Sequence, residues 1–205
     1  RGAVDLTNHG VPCIGIPGTI DNDIASTEAT IGFDTAMNTV VDLVDKLRDT
    51  SESHSRCTVV EVMGRGAGYL ALQAGIACGA TSILLPEVPY DFDRDVIERM
   101  KRTQRSGKVH FVIMVSEAIG GVEEMAKRIQ AETGVEARAT ILGHVQRGGS
   151  PTSKDRIVAS RMGYRAVQLL NEGIGNRVVA IQKNEILDFD IFEALNMKSS
   201  IDLDM

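Results

Sequence analysis

Thr19, Asp21 and Asp23 alternate within the string Pro17-Gly18-Thr19-Ile20-Asp21-Asn22-Asp23. Carboxylates two residues apart can face one reaction centre with different tasks. One can take a proton from a hydroxyl, and the other can help hold a metal bound to phosphate. The string follows Val11–Ile16, an apolar run that reads as a buried parallel strand. It therefore falls at the carboxyl end of a strand, where open α/β sheets gather their ligands. A capped polar turn uses the same residue types, so the chemistry depends on what else reaches that edge.

Three further loops follow apolar runs. They are Met63-Gly64-Arg65-Gly66-Ala67-Gly68, Ser116-Glu117, and Gly143-His144-Val145-Gln146-Arg147-Gly148-Gly149-Ser150-Pro151. Glycines let backbone N–H groups approach a ligand, and Arg65 and Arg147 carry forked donors suited to phosphate. Each loop alone reads as an ordinary turn or strand-end cap. Four at one sheet edge read as a site for an anionic, phosphate-bearing substrate.

The elements that must position them alternate. Helix 31–48 places Phe33, Ala36, Met37, Val40, Val41, Val44 and Leu47 on one face. Then come strand 57–63, helix 69–78, strand 82–85 and a charged helix 94–105. Strand 110–115, helix 122–133, strand 137–142 and the loop 143–151 follow. The last elements are helix 153–170, strand 177–182 and a short helix 191–197, while the chain opens on a helix ending at His9-Gly10. Such alternation predicts an α/β protein of Rossmann-like parallel sheets covered by helices.

Composition narrows the function. A chain of 205 residues, 43% hydrophobic, can bury a real core. The net charge of −6 argues against a nucleic-acid or anionic-membrane partner, and no run is long enough to span a bilayer. Cys13, Cys57 and Cys78 have no metal-binding spacing and read as buried free thiols of a reducing compartment. The loop at Gly64 fails the dinucleotide fingerprint because Tyr69 stands where the third glycine belongs, and no P-loop string occurs.

Arg56 and Arg138 precede or begin their strands. Strand 57–63 spans roughly 20 Å at about 3.3 Å per residue, so Arg56 cannot easily share a pocket with Arg65. Both arginines read either as solvated strand-start charges or as groups reaching a neighbouring subunit's pocket, which would make an obligate oligomer.

These motifs together resemble the 6-phosphofructokinase family. The similarity covers 12–23, 49–65, 86–88, 136–151 and 159–163, and the element order between them agrees. The resemblance implies transfer of the ATP γ-phosphate to the 1-hydroxyl of fructose 6-phosphate, with Asp21 as general base. It implies that Asp23 positions Mg²⁺ with the nucleotide, and that Thr19 and Arg65 stabilise the phosphoryl group in flight. Met63, Gly64, Glu117, His144 and Arg147 would hold the sugar phosphate, and Arg56 and Arg138 its 6-phosphate from the adjacent subunit. A cytoplasmic glycolytic homotetramer with shared sites is implied.

Pyrophosphate-dependent relatives look like Pro-Lys-Thr at the first loop, so Gly18 favours ATP over pyrophosphate. The family's upstream nucleotide-binding glycine loops do not occur in this sequence, which looks like the C-terminal two-thirds of a subunit. A non-catalytic sugar-phosphate-binding or regulatory fragment is the competing expectation. Of the bacterial effector site, Arg48, Gly79 and Lys108 remain. Thr81 stands for an acidic residue and Ser106 for a lysine, implying an altered or absent nucleotide response. The expected lobes are 1–32 with 146–195 on the ATP side, and 33–145 with 196–205 on the sugar-phosphate side.

Overall fold

The computed structural model describes residues 2–198 and 201. Contacts divide the chain into two compact units, 1–35 with 150–205, and 36–149. The chain passes between them at 35–36 and at 149–150. Of the tail expected in the sugar-phosphate lobe, the described residues group with the first unit. Only 196–198 and 201 of that tail fall among the described residues.

The first unit contains α1 (Gly2–Asn8), β1 (Ile14–Gly15), α6 (Ser153–Asn171), β6 (Arg177–Gln182), β7 (Glu185–Asp190) and α7 (Ile191–Asn196). Its sheet has the order β1-β6-β7, with β1 parallel and β7 antiparallel to β6. The expected buried strand 11–16 is thus corrected to two half-buried residues at a sheet edge, with Val11 and Ile16 exposed. Pro12 and Pro17 bracket it, and proline cannot donate to a ladder. Strand β7 is absent from the sequence expectation. Lys183 and Asn184 both take positive φ in a two-residue hairpin turn, the geometry usually signalled by Asn-Gly.

α6 lays Val158, Met162, Ala166 and Leu169 against Val179 and Ile181 of β6. Thr152 caps it by accepting the Asp155 N–H. Buried Asp155 accepts N–H bonds from Gly32 and Thr35 at 2.9 Å, at the head of α2 (Phe33–Ser53). Donors at a helix start favour a carboxylate there.

Asp188 joins α6 to the hairpin. It accepts from Arg165 Nη2 at 2.9 Å and from Arg177 Nε at 2.9 Å. Burial works to raise its carboxyl, but hydrogen bonds and charge from the two arginines outweigh it and leave the carboxyl below its ordinary value. Asp188→Asn is expected to cost about 1–3 kcal/mol in denaturant titration at pH 7. A depressed carboxyl stabilises above its unfolded value of about 4 and stops doing so as pH falls through its folded value. The deficit of the variant should therefore shrink below about pH 4. A deficit that stays constant down to pH 2 would contradict this role.

The second unit is an all-parallel sheet of order β3-β4-β2-β5. Its strands are β2 (Cys57–Val62), β3 (Ser82–Leu84), β4 (Phe111–Ser116) and β5 (Ala137–Ile141). Its helices are most of α2, then α3 (Tyr69–Ala77), α4 (Arg99–Arg105) and α5 (Val122–Thr133). β4 is buried throughout and β2 almost so, as the central strands of a doubly covered sheet must be. Cys57, Val59, Phe111, Ile113 and Val115 pack against Val96, Ile97, Met100, Val122, Ala126 and Ile129. The expected helix 94–105 is corrected to a π-helical stretch, Asp93–Glu98, running into α4. Gly75 of α3 lies so close to β3 that a Cβ would meet Ile83 Cδ1 at 2.6 Å.

The cysteines are free. Burial pushes the Cys57 thiol up to about 12, and it also raises Cys78. Both are inert at neutral pH. Cys13 is half-buried rather than buried, and its Sγ donates to the Ala3 carbonyl at 3.3 Å.

Candidate active site

The Thr19–Asp23 loop belongs to the first unit, and an internal lattice fixes its shape. Gly18 bridges Ile31, and the Ile31 N–H donates to the Pro17 carbonyl at 3.0 Å. The Thr30 hydroxyl donates to the Thr19 carbonyl at 2.6 Å. Asn22 takes the left-handed conformation, φ 53°. Its Oδ1 accepts the Thr30 N–H at 2.9 Å, and its Nδ2 donates to the Glu28 carbonyl at 3.3 Å. The Asp21 N–H donates to Thr19 Oγ1 at 3.2 Å.

Asp21 is thereby held 3% exposed between two residues that the loop constrains, while Asp23 is exposed. Thr27 anchors the loop to β6. Its hydroxyl donates to the Ala29 carbonyl at 2.9 Å and accepts the Ile181 N–H at 3.0 Å. Asn22, Thr27 and Thr30 are positioning residues that the sequence reading passed over. Asn22 stands inside the recognised string, and an asparagine between two aspartates in a turn is a usable signal for a left-handed residue.

In the second unit, three loops meet at the carboxyl ends of β2, β4 and β5. Gly64 has φ 148° and Arg65 φ 56°. A Cβ on Gly64 would lie 2.4 Å from the Ala67 carbonyl oxygen, so the turn admits only glycine. Both the Gly64 and Arg65 N–H groups donate to Glu117 Oε1, the first at 3.0 Å. The Met63 N–H donates to Gln146 Oε1 at 3.1 Å, and Gln146 Nε2 donates to the Gly143 carbonyl at 2.9 Å. Gln146 is 1% exposed. Glu87 Oε1 accepts the Gly68 N–H at 2.8 Å.

Met63, Gly64, Arg65 and Glu117 are thus brought into one hydrogen-bonded cluster. His144 and Arg147 share the 3-10 turn Gly143–Arg147, where the sequence reading expected irregular loop, and both are exposed. Gln146 and Glu87 were missed. A lone buried glutamine inside a polar loop carries no sequence signal of its burial. Glu61, at the same end of β2, has its carboxyl raised by burial and by the Glu117 charge.

Arg56 and Arg138 lie apart from this cluster, at the opposite strand ends, where β2 and β5 pair as Cys57 with Ala137. Both clasp Glu136, Arg56 Nε at 2.8 Å and Arg138 Nη2 at 2.6 Å. Bonds from Arg56 and then Arg138 hold the Glu136 carboxyl below its ordinary value. Of the expected effector residues, Arg48 Nη2 donates to the Cys78 carbonyl, Gly79 follows α3 with φ 60°, and Lys108 is half-buried.

Among the described residues no cluster of three or more His, Cys, Asp or Glu side chains could hold a metal ion. The exposed carboxylate of Asp23 does suit a magnesium ion carried mainly by phosphate oxygens and water, which needs only one or two protein carboxylates. No described helix is long and apolar enough to cross a membrane.

The expected single edge of four loops is corrected to two: Thr19–Asp23 follows β1 in the first unit's sheet, and the other three loops follow strands of the second unit's sheet. The class so defined is an α/β protein with glycine- and arginine-bearing loops at its strand ends, where Glu117 and Glu87 take the N–H groups of Gly64, Arg65 and Gly68. The comparisons narrow the class. The phosphofructokinase family model matches residues 1–170, and the chain belongs to that family.

The chain is 57% identical over its whole length to an ATP-dependent 6-phosphofructokinase of Bacillus cytotoxicus, and 56% to one of Bacillus cereus. It spans 64% of the length of each. Phosphofructokinase from Saccharomyces cerevisiae superposes with a TM-score of 0.85 at 34% identity, over 90% of this chain and 26% of that one. A pyrophosphate-dependent phosphofructokinase of Marinobacter aquaeolei reaches 0.87 at 22% identity, over 98% and 57%, and shares the fold.

Proposed function

We propose that the whole protein of which this chain forms part is an ATP-dependent 6-phosphofructokinase, with Asp21 as general base. The buried, loop-locked position of Asp21 carries the reading, since binding alone needs no base. Asp21 takes the proton from the 1-hydroxyl of fructose 6-phosphate as that oxygen attacks the γ-phosphorus. Thr19 and Arg65 offset charge on the phosphoryl oxygens, and Asp23 helps hold the magnesium–nucleotide. Bound magnesium supplies positive charge on the phosphate oxygens. Positioning and electrostatics are most of what such a transfer requires.

Met63, Gly64, Glu117, His144 and Arg147 hold the sugar phosphate. Glu117 does so in part by fixing the Gly64–Arg65 turn. In this reading the first unit is the remainder of the ATP-side lobe and the second is the sugar-phosphate lobe. Arg56 and Arg138 serve a neighbouring subunit's site within a cytoplasmic homotetramer. Glu136 keeps them together. Arg48, Gly79 and Lys108 belong to an effector site with a weakened nucleotide response.

Gly18 favours ATP as the phosphoryl donor. A Cβ built there meets no atom within 4 Å, leaving space a nucleotide can use and a lysine would fill with charge. In a side-by-side assay of the whole protein, turnover should require Mg-ATP. Gly18→Lys should lower kcat/KM for ATP by at least about tenfold, near 1.4 kcal/mol. Faster turnover with pyrophosphate than with ATP in the unsubstituted protein would overturn the donor assignment. Because the chain spans 64% of its relatives, a second reading is that these 205 residues alone bind the sugar phosphate without turnover.

A further inference from the structure

Gln146 is the buried residue of the turn Gly143–Arg147, while His144, Val145 and Arg147 around it are exposed. A buried glutamine gives up much side-chain freedom and needs partners at both ends of its amide. It has both. Oε1 accepts the Met63 N–H at 3.1 Å, and Nε2 donates to the Gly143 carbonyl at 2.9 Å. These partners also fix which way the amide points, since an N–H only donates and a carbonyl only accepts.

The two bonds join what the sheet leaves separate. β2 and β5 pair as far as Glu61 with Ile141, and the Leu142 N–H then donates to the Glu61 carbonyl at 3.1 Å. Beyond that rung, among the described residues, no backbone-to-backbone bond links the loop after β2 to the turn after β5. The Gln146 amide spans that gap. The next two N–H groups of the β2 loop, Gly64 and Arg65, go to Glu117. Three successive N–H groups are therefore held by side chains from two other strand ends, and only Gln146 ties them to the turn that carries His144 and Arg147.

We propose that Gln146 is a positioning residue for sugar-phosphate binding, whose amide sets the spacing between the Met63–Arg65 loop and the His144–Arg147 turn. Being buried, it acts through these neighbours and not on the ligand. The inference rests on the proposed reading of the two loops as part of the fructose 6-phosphate site.

The test is steady-state kinetics of the whole protein with two variants. Gln146→Leu leaves the Met63 N–H and the Gly143 carbonyl unpaired. KM for fructose 6-phosphate should rise at least about tenfold. With Glu117 still holding Arg65, kcat and KM for Mg-ATP should stay within about threefold. Gln146→Glu adds a chemical signature. A neutral carboxyl accepts from Met63 and donates its O–H to Gly143, as the amide does, whereas a carboxylate cannot donate. Burial and the facing Gly143 carbonyl both favour the neutral form. Its KM defect should be about tenfold at pH 8 and shrink toward about twofold at pH 6. His144 and Arg147 in the same turn, and Glu61 and Glu117 at the neighbouring strand ends, are common to all forms. Each KM is therefore read as a ratio to the unsubstituted protein at the same pH.

A merely structural role would lower melting temperature and active fraction, hence kcat, and leave KM in place. Unchanged KM for fructose 6-phosphate in both variants, or a fall in kcat alone, would overturn the positioning role and leave the sugar-phosphate reading standing. Where Gln146→Leu melts too low to assay, the pH ratio of Gln146→Glu decides, and a ratio that does not move with pH counts against the proposal. An unsubstituted protein that fails to bind fructose 6-phosphate in calorimetric titration would overturn both.

Discussion

Asp21→Ser in the whole protein should lower kcat by about 10³–10⁴-fold while leaving fructose 6-phosphate affinity within about threefold. The sugar 1-hydroxyl is a weak nucleophile until its proton leaves, so removing the base raises the barrier to the chemical step. In the proposed reading, ground-state binding falls to the glycine and arginine loops of the second unit, whereas Asp21 belongs to the first. The loop itself should survive, because its lattice runs through Asn22, Thr30 and the Thr19 backbone. Asp21 contributes its N–H to that lattice, which serine retains. Equal loss of binding and turnover would show that Asp21 shapes the site rather than abstracting the proton.

Gly64→Ala should be the most damaging single methyl group in the second unit. The residue sits at φ 148°, and the new Cβ would press on the Ala67 carbonyl oxygen at 2.4 Å, a backbone atom that cannot swing aside. Strain and overlap together cost about 2–4 kcal/mol. Relief requires the turn to open, which pulls the Gly64 and Arg65 N–H groups off Glu117. Fructose 6-phosphate binding should weaken by about 10²-fold, near 2.7 kcal/mol. Gly66→Ala is the matched control, since its Cβ meets nothing within 4 Å. It should bind within about twofold of the unsubstituted protein. Calorimetric titration of both variants separates the cases, and similar losses in the two would refute a special role for the Gly64 turn.

What the sequence revealed follows from how local each signal is. The helical period of α2, the buried runs of β2 and β4 and the glycine closing α5 depend on neighbouring residues, and all appear, although α2 runs on to Ser53 rather than ending at the expected 48. The separation of Arg56 from Arg65 followed from strand length alone. β7 escaped notice because Glu185–Asp190 mixes acidic and apolar residues, and its turn, Lys183-Asn184, lacks the usual glycine. β1 was overread because an apolar run says nothing about whether a second strand lies alongside it.

The polar residues that shape the candidate site were the least legible. Gln146 and Asp155 are buried by partners 83 and 120 residues away in the chain, and no local pattern encodes that. Glu117 was read as a ligand contact, yet its carboxylate also braces the turn beside it. The candidate-site strings stood out because several types of chemistry are compressed into seven residues, whereas the scaffold that aims them is dispersed.

The most direct measurement is phosphorus NMR of the whole protein incubated with Mg-ATP and fructose 6-phosphate. A new ester resonance on the sugar 1-oxygen, growing in step with ADP and absent with Asp21→Ser, is the predicted result. ATP consumed with release of free phosphate, or a phosphate ester at any other sugar position, would contradict the assignment of Asp21 as the base for transfer to the 1-hydroxyl.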